Sequence, residues 1–128
     1  MKKLLSSLPC SLIALVLPAA NVMADNVLDP CFQTAYHEGV LTATCYDQFN
    51  IPQKSDLFLR DYIGNNSGEL TLNGKNFHET CTRETLTTYG DSLIFAAECL
   101  ISGYGYNHST LELKNNIKIL NGKLYFNN

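Results

Sequence analysis

The sequence predicts a mainly β domain made of two tandem, similar repeats. Short runs of alternating apolar and polar residues are separated by glycine and asparagine turn signals, and no long stretch has helical periodicity. The chain also matches itself when shifted by 54 positions. Ala43 falls on Ala97, Cys45 on Cys99, Ser55 on Ser109, Leu57 on Leu111, Leu59 on Leu113, Ile63 on Ile117, Gly68 on Gly122, Leu70 on Leu124 and Asn73 on Asn127. These are mainly apolar residues, cysteines and a turn glycine, the positions that a shared backbone dictates.

In chain order, Met1 to Ala24 opens with Lys2 and Lys3, passes through an apolar run from Leu12 to Leu17 and ends Val22-Met23-Ala24. This is the pattern of a secretory signal peptide cleaved after Ala24, so a secreted or periplasmic domain spanning 25–128 is expected. The apolar run lies between Pro9 and Pro18 and is too short for a membrane anchor. Asp25 to Pro30 is a short leader. A strand from Phe32 to Tyr36, a turn at His37-Glu38-Gly39 and a strand from Val40 to Cys45 follow. Tyr46 to Lys54 reads as a polar segment ending in a loop at Pro52. Ser55 to Arg60 alternates again, with Leu57 and Leu59 on one face, and Asp61 to Asn66 is expected to turn, carrying Ile63 inward. Asn66-Ser67-Gly68 is a tight turn, Glu69 to Leu72 a strand and Asn73-Gly74 another turn.

That completes a first repeat of about 31–74, and the second occupies about 81–128. The first cysteine of each repeat matches at an offset of 50, so the second repeat carries four extra residues in its first hairpin. They are expected in its loop, around Thr88 to Ser92. Gly103 to His108 reads as an aromatic loop holding Tyr104 and Tyr106.

Cleavage removes Lys2, Lys3 and Cys10, taking the formal charge from −3 to −5 and the cysteines from five to four. An acidic chain with no basic cluster is poorly suited to phosphate backbones, so nucleic acid is not an expected partner. Four cysteines in an exported chain read as two disulfides with three possible connectivities, and the repeat favours Cys31–Cys45 and Cys81–Cys99. Each would close a loop of roughly 15 residues, worth about 3 kcal/mol in the chain-entropy model. No paired C-x-x-C is present, so neither zinc nor any other cofactor is expected.

Catalysis is not expected. Glu79 and Glu98 are the candidate carboxylate pair, but Glu98 sits beside Cys99 in a strand, and no nucleophile elbow or phosphate loop occurs. The stretch from Asn65 to Cys81, at the junction of the repeats, gathers Asn65, Ser67, Asn76, Glu79 and Thr80 beside turn glycines. Fixed amides, hydroxyls and carboxylates are the groups that recognise sugar hydroxyls. Tyr104 and Tyr106 add aromatic faces next to them. His37, His78 and His108 are scattered and read as surface residues.

Taken together, Gly39-Val40-Leu41-Thr42-Ala43-Thr44-Cys45, Asn76-Phe77-His78-Glu79-Thr80-Cys81, Ala96-Ala97-Glu98-Cys99, Ser109-Thr110-Leu111-Glu112-Leu113 and Asn121-Gly122-Lys123-Leu124-Tyr125 resemble the cyanovirin-N homology family of small secreted lectins. The resemblance covers nearly all of Asn26 to Asn128. It implies two pseudo-symmetric halves, each a three-stranded sheet plus a β-hairpin, with strands exchanged between repeats, in a monomer or a strand-swapped dimer. It also implies binding of mannose-rich glycans without metal.

The principal site so implied comprises Asn65, Ser67, Asn76, Glu79 and Thr80, with Ser102 and Tyr104 after the fourth cysteine. Here Ser67 replaces an acidic residue and Lys75 a small polar one. A weaker second site would use Asp29, Pro30, Tyr46, Gln48, Ile119 and Asn121, with apolar Ile119 where a polar residue is expected. Removing the Asn65 and Glu79 side chains is expected to abolish binding and leave the melt nearly unchanged. The alternative reading is a secreted, non-catalytic module that binds a protein partner through its tyrosine-rich loops.

Overall fold

The computed structural model describes residues 26–128; the signal peptide expected at Met1 to Ala24 lies outside the described residues. Strands β1 (Cys31–His37), β2 (Val40–Tyr46) and β3 (Pro52–Phe58) form an antiparallel sheet in that order. A 3-10 turn at Leu59–Asp61 leads to a hairpin of β4 (Ile63–Asn66) and β5 (Glu69–Leu72). After a second 3-10 turn, Phe77–Glu79, the order repeats: a sheet of β6 (Cys81–Tyr89), β7 (Ser92–Ile101) and β8 (Gly105–Glu112), then a hairpin of β9 (Ile117–Leu120) and β10 (Lys123–Phe126).

Alternation, strict in β7 and broken only at Thr44 in β2, builds the core. Leu41, Ala43 and Cys45 of β2 and Leu93, Phe95, Ala97 and Cys99 of β7 all point inward and are buried. Phe77 is fully buried and meets Phe95 edge-on, with ring centroids 4.9 Å apart. Each disulfide joins directly opposed residues, Cys31 to Cys45 across β1 and β2, and Cys81 to Cys99 across β6 and β7.

Each hairpin seats against the sheet of the other repeat. The Leu70 N–H of β5 donates to Ser109 Oγ on β8 at 2.9 Å, and the Leu124 N–H of β10 donates to Ser55 Oγ on β3 at 3.0 Å. These two bonds are equivalents under the 54-residue shift. The hairpin turns, Ser67-Gly68 and Asn121-Gly122, have positive φ at both residues, which two-residue hairpin turns of this hand require. A Cβ on Gly68 would lie 2.5 Å from Ile101 Cγ1, and one on Gly122 would lie 2.9 Å from the Gln53 side chain and 3.0 Å from the Cys45 carbonyl oxygen. The missing side chain is what lets each turn reach the opposite sheet.

Four expectations are corrected. Pro52 begins β3 instead of ending a loop; β3 is an edge strand, where a first residue without an N–H is tolerated. Ile63 to Asn66 pairs as a strand with β5, although Ile63 does point inward. The four extra residues of the second repeat do not enlarge a loop. The tip is two residues in both first hairpins, Glu38-Gly39 and Gly90-Asp91, and the insertion lengthens each flanking strand by two, keeping its backbone groups paired. Tyr106 and His108 lie on β8, opposite Leu100 and Glu98, so only Ser102 to Tyr104 form the turn.

Gly68→Ala should therefore cost about 3 kcal/mol, combining left-handed backbone strain with a steric clash. Gly90→Ala, also at positive φ but with open space around it, should cost only about 1 kcal/mol. Urea unfolding of the two variants checks the difference.

Candidate binding site at the junction

Asn65 organises the junction. Its side-chain amide donates to Thr80 Oγ1 at 2.9 Å and to the Leu100 carbonyl at 3.1 Å, while its Oδ1 accepts from the Gly68 N–H at 2.7 Å. Both amide hydrogens are thus occupied, and Asn65 is a clamp joining β4, the hairpin turn, the entry to β6 and the end of β7. Thr80 accepts from Asn65, so its own hydroxyl hydrogen remains free to donate.

Asn76, Glu79 and Thr80 are presented by one short segment. Asn76, at φ 64°, begins the Phe77–Glu79 turn, whose bend is held by Glu79 N–H to Asn76 O and Thr80 N–H to Phe77 O. Buried Phe77 pins the turn to the core, and this forces its neighbours Asn76, His78, Glu79 and Thr80 outward. The Leu100 N–H donates to Thr80 O at 2.9 Å, so the segment is continuous with the second sheet. Lys75 makes no ion pair with Glu79, which leaves that carboxylate open to solvent.

Ser67 lies in the adjoining turn, whose Gly68 rests against Ile101, and Ser102 directly follows Ile101. Tyr104 is 86% exposed, in a turn closed by its N–H on the Ile101 carbonyl; it stands at the margin. Two participants were not foreseen. The Leu100 carbonyl is a backbone group with no residue-type signal. Asn107, whose amide donates to Gly68 O at 2.8 Å, was readable from the repeat, since it is the equivalent of Gln53 and both lie beneath the opposite turn glycine.

The second group of residues is only partly assembled. The Gln48 N–H donates to Asn121 Oδ1 at 3.0 Å, and Tyr46 lies against Phe32 with centroids 5.3 Å apart. Asp29 is engaged elsewhere, its carboxylate accepting from the Asn26 N–H, while the Asn26 amide docks on the Gly90 and Ser92 carbonyls of the long second hairpin. Ile119 is half-buried, and Phe49, Ile51 and Leu120 are exposed around the Gln48 turn. Asp47 holds that turn together. Its carboxylate accepts from the Ile51 and Phe49 N–H groups, both at 2.9 Å, and from Gln53 Nε2. These bonds, the one from Ile51 foremost, hold its carboxyl below the usual carboxylate range.

The three bonds of Asn65 argue against the expectation that the Asn65 and Glu79 side chains can both be removed with the melt nearly unchanged. Asn65→Ala should lower stability by about 1–2 kcal/mol, since it leaves a backbone N–H and a carbonyl without partners. Glu79→Ala should leave the thermal midpoint unchanged. Asp47, with a depressed folded-state pKa, contributes stability that is present above its unfolded pKa and is lost as pH falls through the folded value. Urea midpoints measured from about pH 5 to pH 2 should therefore fall less steeply in Asp47→Ala than in the parent.

A family model described as the CVNH domain matches residues 29–125. The NMR structure of GzCVNH from Gibberella zeae superposes with a TM-score of 0.69 and 24% identity, over 80% of this chain and 98% of that one. Microvirin, solved as a mannobiose complex, gives 0.65 and 26%, over 79% and 97%. A MoCVNH3 variant solved with (N-GlcNAc)4 gives 0.68 and 18%, over 83% and 99%. No curated protein sequence matches the chain significantly.

Proposed function

The chain belongs to the CVNH family of lectins, and on that premise we propose that its mature form is an exported, non-catalytic binder of mannose-type oligosaccharides. The observation that carries the reading is the turn pinned by buried Phe77 and tied at Thr80 to Asn65, which holds Asn76, Glu79 and Thr80 outward on one short segment. In this reading the Thr80 hydroxyl donates to a sugar hydroxyl, Glu79 accepts from one or two, and the Asn76 amide does both. Because the turn fixes the backbone of these residues beforehand, less entropy is lost on binding. The mannobiose bound by microvirin supports the sugar class. Ser67, Ser102 and Tyr104 extend the site at its margin. The Tyr46, Gln48 and Asn121 group is the weaker second site, without Asp29.

A second reading, a module that binds a protein, is favoured by one observation. Phe49, Ile51 and Leu120 are 71%, 52% and 63% exposed around the Gln48 turn, a concentration of apolar surface beyond scattered single residues.

A glycan array probed with the mature protein should score on oligomannose. Asn76→Gly, which keeps the left-handed backbone, combined with Glu79→Ala should weaken that binding by more than about tenfold with little change in melting temperature. Unchanged affinity would remove the site assignment. Silence across all oligomannose spots, with capture of a single protein that is lost in Phe49→Ser, would favour the second reading. N-terminal sequencing of exported protein should begin at Asp25.

A further inference from the structure

Beyond the principal site, the outer face of the second sheet holds a cleft of ≈ 330 Å³ lined by Thr82, Arg83, Glu98 and Tyr106. The geometry points to this cleft as a further saccharide subsite, taking the neutral pyranose next along from the one at Thr80; this rests on the lectin reading above.

Register places it there. Thr82 lies opposite Glu98 on β7, which lies opposite His108 on β8, and Leu100 lies opposite Tyr106. Thr82 is two residues along the chain from Thr80, which closes the Phe77–Glu79 turn, so their Cα atoms lie within the ~7 Å that two residues can span, the length scale of one sugar ring. Arg83 occupies a bulge between Thr82 and Thr85 at φ 55°, which turns its side chain out of the ladder's alternation. Its guanidinium has no hydrogen-bond or ion-pair partner among the described residues.

The chemistry is that of a polyhydroxylated ring. Glu98 receives His108 Nδ1 on Oε2 at 2.5 Å, which orients the carboxylate and leaves its other oxygen to accept a sugar hydroxyl. Arg83 and Thr82 supply donors, and Tyr106, 61% exposed, supplies an aromatic face. One arginine and one glutamate make the cleft formally balanced, so a sugar carboxylate would meet Glu98 as well as Arg83.

The first repeat provides an internal comparison. Its equivalents are Phe32, Gln33, Thr44 and Pro52, with the same bulge and Gln33 at φ 54°. There, however, Phe32 packs on Tyr46 and Thr44 is only 9% exposed. Phe32, Gln33 and Pro52 are exposed like their counterparts, but a buried threonine stands where the second repeat has the part-exposed Glu98, so the cleft is a product of side chains and not of the fold.

Calorimetry with mannobiose and with linear mannotetraose tests this on the mature protein, beside Arg83→Ala/Tyr106→Ala and a Gln33→Ala control. The parent should bind the tetrasaccharide about tenfold more tightly than the disaccharide, and the double variant should lose that increment while keeping its mannobiose affinity. Gln33→Ala should change neither. Equal affinity of the parent for both sugars, or an increment that survives in the double variant, overturns the subsite and leaves the principal site standing. Tighter binding of a uronic-acid-terminated tetrasaccharide overturns the neutral class. A parent that binds neither sugar overturns the lectin reading and the subsite together. Should the double variant fail to fold, NMR of the parent decides: tetrasaccharide but not mannobiose should shift the Arg83 and Tyr106 resonances, and no selective shift counts against the subsite.

Discussion

Neither repeat can close its own core, and the structure depends on how that deficit is met. The three-stranded sheet of a repeat of about 50 residues leaves one apolar face open, and here each face is covered partly by the hairpin of the other repeat. The seating needs a backbone N–H paired to a serine hydroxyl and a turn without a Cβ. Leu70 to Ser109 with Gly68, and Leu124 to Ser55 with Gly122, supply both. Because the contacts are reciprocal, loss of one hairpin opens a core to which both repeats contribute.

The same seating makes the two candidate sites. Each hairpin tip arrives beside the strand end that follows a disulfide, so polar side chains far apart in sequence meet at two poles. The backbones match, but the clamps differ. At one pole Asn65 ties the tip to Thr80 and Leu100, and at the other its equivalent is Ile119, with Asn121 taking a single bond from Gln48. The first arrangement leaves rigid polar groups facing outward, and the second surrounds one amide with Phe49, Ile51 and Leu120.

A further tie runs between the two sheets. Tyr36 donates its hydroxyl to Glu84 at 2.6 Å and meets Phe95 edge-on. Burial and the Glu84 carboxylate push the Tyr36 phenol well above its usual range, so it remains a donor at any physiological pH. With Asn26 tied to the long second hairpin, the leader and both sheets are joined by polar bonds as well as apolar contacts.

Alternation and the 54-residue shift were local or self-referential signals, so the chain by itself determined the strand class, the inward residues and the turn glycines, and it favoured the disulfide pairs that the strand register then settled. It also placed Asn65, Asn76, Glu79 and Thr80 in one stretch. What it could not assign were roles that depend on partners distant in sequence. Asn65 reads as a free ligand group until Leu100, 35 residues on, is brought beside it, and it then becomes a clamp. The family resemblance sets Asp29 beside Gln48, but the leader instead docks on the second hairpin. The lengthened strands of that hairpin and the cleft at Arg83 were likewise hidden, because strand pairing and bulge geometry decide where an inserted residue points. Tertiary structure alone decided these, since a side chain's chemistry is set by which of its hydrogen bonds are already occupied.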